Sequence, residues 1–352
     1  MNKQYRIYLT LILISFQLVS LAQFSDKKVI DKTASFDKSG RVSLNNRHGN
    51  IQIISWPKDS IKVHVEIEGE SKSLSKLQET MAKTSSQISF QNTNAIISTV
   101  VSETVVSRSI SDIRNLTGTG TTIGIDYKVY VPQNTKLIIS NKYGDVFLDD
   151  HNGEIILELN HGNLRANHLP KLSTLSCSFG NIFITSVGSL NARLQFSEMD
   201  LEKADRLNLN SKSGTYDIDE VDDFVITSTN DNLKLGSVNT FTFNGSLSKI
   251  KLDNLLTSST FNIKYGKVRI SKIQASVCSF NIQSNRTTFD LGFAPNVSFK
   301  VSGTQNDFEI LSTNPNSHIE SNNGLLSGHY GSNPDSECTY LINGQKSKIY
   351  FK

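Results

Sequence analysis

Histidine is the side chain most readily used for metal binding or proton transfer, and three histidines fall close together here, at His151, His161 and His168. A zinc site needs three or four ligands that converge on one point. The repeat described below puts His151 on the inward side of a corner and His168 on the outward side, so their rings should diverge. His161 has no carboxylate or second histidine at a matching position. The pattern therefore predicts no metal site.

Carboxylates are the second possible source of chemistry. The densest acidic run, YDIDEVDD from Tyr216 to Asp223, lacks the loop spacing of a calcium-binding hand and the repeat of calcium-stacked solenoids. Elsewhere acids and bases are dispersed, and GxSxG, HExxH and phosphate-loop motifs are absent from the sequence. We interpret the run as a solvated face. We predict no catalytic residue and no cofactor, and a chain that is not an enzyme.

Two aromatic side chains do not fit a solvated face. Phe147 and Phe183 fall in an outward column of the repeat, with Arg165 between them. Exposed aromatic rings that flank an arginine are typical of a surface that binds a glycan or a peptide. Phe147, Arg165 and Phe183 are therefore the candidate ligand surface. The alternative is that the polar loop from Ser107 to Thr122, or another neighbouring segment, packs over the two rings.

The element that positions these residues is a repeat of 17 or 18 residues. Positions two and four after a recurring small residue are almost purely apolar, as Val146 and Leu148 are in one coil, and position seven is a third apolar column. Position three lies between two apolar positions and therefore faces outward, because side chains alternate along a strand. The small residues at position zero are Gly144, Gly162, Gly180, Ser197, Gly214, Asp231, Ser248 and Gly266.

A second alternating run begins near position ten, as in LNLNS from Leu207 and FTFNG from Phe241. Two strands per repeat predict an all-β, parallel β-solenoid with 17-18-residue coils, and the geometry of parallel crossovers favours the right hand. A left-handed hexapeptide helix would need one apolar residue every six positions, whereas positions two and four are both filled. We expect the glycines to serve turns with positive φ. We also expect the rings just before position zero to stack along the axis, namely Tyr143, His161, Phe179 and Phe196.

The repeat is interrupted once, after a first coil that contains Gly49. The segment from Ser71 to Thr84 has apolar residues at helical spacing behind serine caps. Three predicted strands follow, in QISFQ, AIISTVVSETVV and TTIGIDYKVYVP. We expect this small α+β insertion to cap the array, because a terminal coil exposes backbone that can template aggregation.

The first residues, MNKQYRIYLTLILISFQLVSLAQF, have the charged start, short apolar run and small residues of a secretory signal peptide cut after Ala22. A membrane anchor is the alternative, and no later segment is apolar enough to span a bilayer. The net charge of +3 selects neither nucleic acid nor an anionic membrane.

Cys177 and Cys278 should lie roughly 25 Å apart along the axis, too far for a disulfide. Cys177 falls in an inward column. With Cys338 the chain has three cysteines, an odd number.

In these coils the chain resembles the bacterial putative-adhesin domain family of unknown function, which is related to auto-transporter adhesin head domain proteins of Bacteroidetes envelopes. The resemblance lies in the strand IDYKVYVP from Ile125 and in the coils SNKYGDVFLDD, LNHGNLRAN and CSFGNIFIT. It implies an exported β-solenoid, and it supplies no catalytic or binding residues.

The sequence therefore predicts a non-enzymatic, adhesin-like binding or scaffold module of the cell envelope, located in the periplasm, on the outer-membrane surface or outside the cell. The expected partner is an envelope protein or a glycan. One alternative is a carbohydrate-active β-helix enzyme of the polysaccharide lyase or hydrolase type, which would gather carboxylates in one groove. The other is an envelope-sensing partner of a regulatory membrane protein.

The expected divisions of the chain are a signal peptide (1-22), N-terminal strands and first coil (23-70), the cap insertion (71-131), the repeat array (132-312), and an irregular segment with a final strand (313-352).

Overall fold

The computed structural model describes residues 23-101, 106-107 and 121-352. The predicted signal peptide and most of the predicted loop before Thr122 lie outside these residues. Within them the chain forms one helix, α1 (Leu74–Lys83), and 27 strands that belong to one sheet. None of the described helices has the length and apolar character of a membrane span. The strands are β1 (Phe24–Ser35), β2 (Arg41–Arg47), β3 (Ile51–Trp56), β4 (Ser60–Ser71), β5 (Ser85–Gln91), β6 (Asn94–Val100), β7 (Val106–Ser107), β8 (Thr122–Pro132), β9 (Lys136–Lys142), β10 (Val146–Leu148), β11 (Ile155–Asn160), β12 (Leu164–Leu169), β13 (Leu172–Ser178), β14 (Asn181–Gln195), β15 (Glu198–Lys212), β16 (Thr215–Thr229), β17 (Asn232–Ser246), β18 (Lys249–Lys264), β19 (Lys267–Ile273), β20 (Ser279–Asn285), β21 (Thr288–Phe293), β22 (Phe299–Asn306), β23 (Glu309–Ser312), β24 (His318–Asn322), β25 (Leu325–Tyr330), β26 (Thr339–Gln345) and β27 (Lys348–Phe351).

Most strands stack in parallel in two rows, and the chain passes from one row to the other in every coil. The first row runs from β3 through β10, β12 and the leading halves of β14 to β18, and continues into β19, β21, β27 and β23. The second row runs from β2 through β9, β11, β13 and the trailing halves of β14 to β18, and continues into β20, β26 and β22. Asn163 and Asn181 contact each other across 18 positions, and Asp217 and Lys234 across 17. The fold is thus all-β and solenoid-like, as the repeat predicts.

The core lies between the two rows and consists of the predicted apolar columns. Positions two, four and seven are buried in the eight coils from Gly144 to Gly266, and the most exposed of them, Ala166, is only 8% exposed. His151, at position seven, is 1% exposed. Burying one aliphatic side chain contributes about 1.5–3 kcal/mol. Because each coil buries its columns against its neighbours, stability accumulates along the array as in other repeat proteins.

The glycines at position zero are required by close contact between coils, and the predicted positive φ is wrong for them. A Cβ on Gly162 would lie 2.0 Å from the carbonyl oxygen of Gly144, and one on Gly180 would lie 1.9 Å from that of Gly162. These glycines are not among the residues with positive φ. At Gly144, Gly162 and Gly180, glycine is therefore selected because successive turns stack backbone on backbone, which leaves no room for a side chain.

Positive φ belongs instead to the residue just before position zero. Its φ lies between 51° and 67° in the six coils where this residue is aromatic, a region that is unfavourable for bulky side chains. The first five of these rings stack with centroids 4.8 to 5.3 Å apart and interplanar angles of at most 16°. Stacking of this kind contributes about 0.5–1.5 kcal/mol per pair, which offsets the backbone strain. This aromatic ladder confirms the predicted stack and extends it by one ring: His48, Tyr143, His161, Phe179 and Phe196.

Farther along the array, position zero carries polar side chains that are themselves buried. Asp231 is 3% exposed, and its carboxylate accepts hydrogen bonds from the backbone N–H of Gly214 at 2.7 Å and the hydroxyl of Ser228 at 2.6 Å. The Asp231 N–H in turn donates to the hydroxyl of Ser248 at 3.2 Å. A polar side chain here satisfies the backbone of the preceding coil, as buried polar groups must be satisfied.

The N-terminal end of the array is closed by antiparallel strands. β4 lies between β1 and β8 in the first row, and the hairpin β5–β6 extends the second row beyond β2. Helix α1 begins after Ser73, whose side chain caps it, and buries Leu77 and Met81. The edge strand β1 carries Lys27, Lys28 and Lys32, and charged residues on an edge oppose further strand pairing.

At the C-terminal end, spatial order departs from chain order. β26 lies between β20 and β22, and β27 lies between β21 and β23, all in parallel. The segment 313-352, expected to be irregular before a final strand, thus holds four strands, two of which form a coil inserted between earlier coils. A disulfide joins Cys278 and Cys338, which directly precede the paired strands β20 and β26. Cys177 is buried and unpaired, so no bridge joins Cys177 to Cys278.

Candidate functional site

The sequence-predicted surface residues are neighbours in one outward column of the first row. Phe147 pairs with Arg165 across β10 and β12, and Arg165 pairs with Phe183 across β12 and β14. The two rings are 36% and 39% exposed. The guanidinium carbon of Arg165 lies 5.4 Å from the centroid of the Phe183 ring, within the range of a cation–π interaction.

An open groove of about 510 Å³ begins beside this column and crosses four coils. Arg165 and Phe183 line it, whereas Phe147 lies outside it, next to Gln52 of β3. One face of the Phe183 ring is covered by Arg165. The next residue of the column is Asp200, and both Phe183 and Asp200 line the groove.

The rest of the groove is acidic. Asp217 forms an ion pair with Lys234 at 2.7 Å, and three further carboxylates have no ion pair within the described residues. The repeat places Asp200 and Asp217 at position three, which was predicted to face outward. The other two acids lie at position five, for which no prediction was made. The alternation of side chains along a strand could have predicted them, because positions three and five share one face. The groove acids are Asp200, Glu202, Asp217 and Asp219.

In the acidic run from Tyr216 to Asp223, the three apolar residues are buried and the acids are exposed or half-buried. Tyr216 is fully buried, and burial raises the pKa of its hydroxyl. Glu220 and Asp223 face outward and pair with Lys203 at 3.1 Å and Arg206 at 3.4 Å in the preceding coil. Exposed pairs of this kind contribute about 0–1 kcal/mol each, so they serve mainly to match neighbouring coils.

His151 and His168 are neighbours, because the backbone N–H of His151 donates to the His168 carbonyl at 3.2 Å, but one ring is buried and the other is exposed, as the column count predicts. The ring of His151 is buried between the Ser55 hydroxyl at 2.8 Å and the Thr135 carbonyl at 2.7 Å, and burial lowers its pKa. His168 faces outward and contacts the Ser186 hydroxyl at 2.8 Å, while His161 belongs to the aromatic ladder. Across residues 23-101, 106-107 and 121-352, no three His, Cys, Asp or Glu side chains are grouped so as to hold a metal ion.

No family model matches this chain, and no curated protein is similar to it in sequence. Two solved structures are similar to it over 93% of its length. One is a putative cell adhesion protein from Clostridium sporogenes, 7% identical, with 99% of its chain covered and a TM-score of 0.20. The other is a putative adhesin from Bacteroides fragilis, 10% identical, with 98% of its chain covered and a TM-score of 0.33. Both descriptions name adhesion proteins.

Proposed function

We propose that this chain is an exported, right-handed β-solenoid with coils of 17-18 residues that acts as a non-enzymatic, adhesin-like binding module of the cell envelope. Its ligand is a glycan, which lies in the groove beside Phe183. The observation that carries the proposal is the row of Arg165, Phe183 and Asp200 at the groove. An exposed ring flanked by a guanidinium and a carboxylate offers a sugar an apolar face, a donor and an acceptor.

The charge of the groove narrows the class of glycan. Four carboxylates and Arg165 line it, and the neighbouring Lys234 neutralises only Asp217. The remaining acids repel uronic acid and phosphate polymers, because like charges in a shared site are unfavourable. Carboxylates accept hydrogen bonds strongly from hydroxyl groups. A neutral, hydroxyl-rich chain therefore fits this groove best.

Polysaccharide cleavage is the second candidate, because carboxylates do gather in the groove. A glycosidase needs one carboxyl group kept protonated by apolar surroundings beside a second, ionised one. Asp200, Glu202 and Asp219 are instead exposed, which argues against such a pair. Purified protein should release neither reducing ends nor unsaturated sugars from envelope polysaccharides. Saturable release that Asp200→Asn or Glu202→Gln abolishes would establish the enzyme.

Binding is tested by screening the purified chain against envelope glycans and envelope proteins, followed by affinity measurements on variants. Phe183→Ala should weaken glycan binding by roughly thirtyfold, since truncating a central aromatic contact costs about 2 kcal/mol. Arg165→Ala should weaken it as well, and Phe147→Ala less, because Phe147 lies outside the groove. Lys251→Ala is the matched control, since Lys251 occupies the same outward column beyond the groove. Wild-type affinity in an Arg165→Ala/Phe183→Ala variant would overturn the proposed site.

A further inference from the structure

A second groove, of about 370 Å³, lies on the other row of strands near the C-terminal end. Four neighbouring strands build it in the spatial order β18, β20, β26, β22. Asn262 pairs with Gln283, Gln283 with Asn343, and Asn343 with Thr304, so one side chain from each strand forms a continuous line. None of these residues belongs to a motif that is recognisable in the sequence.

The side chains of this second groove, here called the amide groove, are nearly all uncharged and polar. The charged exception among the lining residues is Lys264, and the lining residues include neither a carboxylate nor an aromatic ring. A carboxamide presents two donors and an acceptor in one plane. Six of the lining residues are carboxamides: Asn262, Gln283, Asn285, Asn306, Asn343 and Gln345.

Some of these amides hold one another in place, and others are available to a ligand. The Asn285 amide donates to the Gln345 side-chain oxygen at 2.7 Å. The backbone N–H and the hydroxyl of Thr304 donate to the Asn343 side-chain oxygen at 3.0 and 2.8 Å. Asn262 and Gln283 are exposed, and their amides make no hydrogen bond to any residue the structure describes. The amides that bond to one another are preorganised, which lowers the entropic cost of ordering them on binding. The amides of Asn262 and Gln283 remain available to hydrogen-bond a ligand.

We propose that the amide groove binds a segment of a neutral polysaccharide. Alternating donors and acceptors match the hydroxyl groups of sugars, and the groove provides no charge pattern for an anionic polymer beyond Lys264 alone. A peptide strand would need an open backbone edge, but the two central strands, β20 and β26, are paired on both sides. A folded protein would need large apolar anchors, which the lining residues do not provide.

The amide groove is separate from the groove at Phe183. Four coils separate Phe183 from the coil of Lys251, in which Asn262 also lies, and this is roughly 19 Å at about 4.8 Å per strand. The two grooves also lie on different rows of strands. Each groove alone binds weakly, and a polysaccharide long enough to reach both binds more tightly because the second contact is intramolecular.

The test is electrophoresis in native gels that contain laminarin, dextran or a mannan, with polygalacturonate as the anionic probe. It is run in an Arg165→Ala/Phe183→Ala background, so that retardation reports the amide groove whether or not the proposed function at Phe183 is correct. In that background, Asn262→Ala/Gln283→Ala should weaken binding to a neutral polysaccharide about tenfold, from the loss of at least two hydrogen bonds. Because both amides are exposed, their removal should leave the unfolding midpoint unchanged.

The matched control is Asn208→Ala/Asn210→Ala. Both residues are exposed amides on the same row, and Asn210 belongs to the same outward column as Asn262, three coils away. The control should bind like its background. The proposal is overturned if no neutral polysaccharide retards the background protein, if polygalacturonate retards it more strongly, or if the two double variants behave alike.

Discussion

Substitution of Gly162 by alanine tests why successive coils can stack so closely. The added Cβ would lie 2.0 Å from the Gly144 carbonyl oxygen, so the two turns must separate by about 1 Å in an interior that is close-packed. The same carbonyl accepts a hydrogen bond from the Asn141 side chain at 2.9 Å. Overpacking costs about 1–3 kcal/mol, and a lost buried hydrogen bond costs about 1–3 kcal/mol more. These terms outweigh the roughly 0.4–1 kcal/mol that alanine gains from a less flexible unfolded chain.

The net expectation is a loss of about 3 kcal/mol in the free energy of unfolding. Urea denaturation followed by circular dichroism and by the fluorescence of Trp56 measures this loss. Ser197→Ala is the control at the same position of another coil, where a Cβ is already present. It removes the hydrogen bond of the Ser197 hydroxyl to the Gln195 carbonyl at 2.8 Å, which should cost about 1 kcal/mol. If Gly162→Ala were no more destabilising than Ser197→Ala, close approach would not be the reason for glycine in this column.

Three further predictions concern the cysteines and His48. Replacing Cys278 and Cys338 by serine should lower the free energy of unfolding by about 4 kcal/mol, since the disulfide closes a loop across 60 positions; a melting temperature that is the same with and without reductant would contradict this. Burial raises the pKa of the Cys177 thiol to about 11, so iodoacetamide at pH 8 should label Cys177 only after denaturation, as mass spectrometry can show. Burial, and after it two neighbouring cations, lowers the pKa of His48 from 6.5 to about 4. Stability that depends on this neutral ring is complete above pH 6.5 and falls as the pH drops toward 4; His48→Phe should retain the stack and remove that pH dependence of the urea midpoint.

The sequence predicts the interior of this fold well because one period controls it. Once the small residues are aligned, the count places Leu164 and Leu169 inside and Phe183 outside, as the structure does. The cause of glycine at position zero was predicted wrongly, because a close approach between coils involves residues one period apart and leaves no local signature. Positive φ at Phe179 could not be predicted from its own side chain, since a bulky residue is an outlier in that region.

The C-terminal end could be predicted only in part. Tyr340 and Ile342, followed by Ser347 and Ile349, have the apolar and small residues of a coil, but nothing in their spacing indicates that this coil enters between two earlier ones. The disulfide between Cys278 and Cys338 forms because the inserted coil places β26 beside β20. It could not be predicted from the sequence for the same reason. The amide groove was missed likewise, because Asn343 joins the line between Gln283 and Thr304 only in three dimensions.

The inserted C-terminal coil also sets the order in which the chain is able to fold during synthesis. Coils up to β21 can stack as soon as they emerge, each on the one made before it. β22 and β23 cannot take their places until β26 and β27 exist, because those later strands are their parallel neighbours. At about 5–20 residues per second, the ribosome needs a few seconds to make the intervening segment, and during that time the edges of β20 and β21 remain open. Without β26 and β27 the edges of β20 and β21 lack the partners they have here, so these two strands decide whether the array ends or recruits other strands.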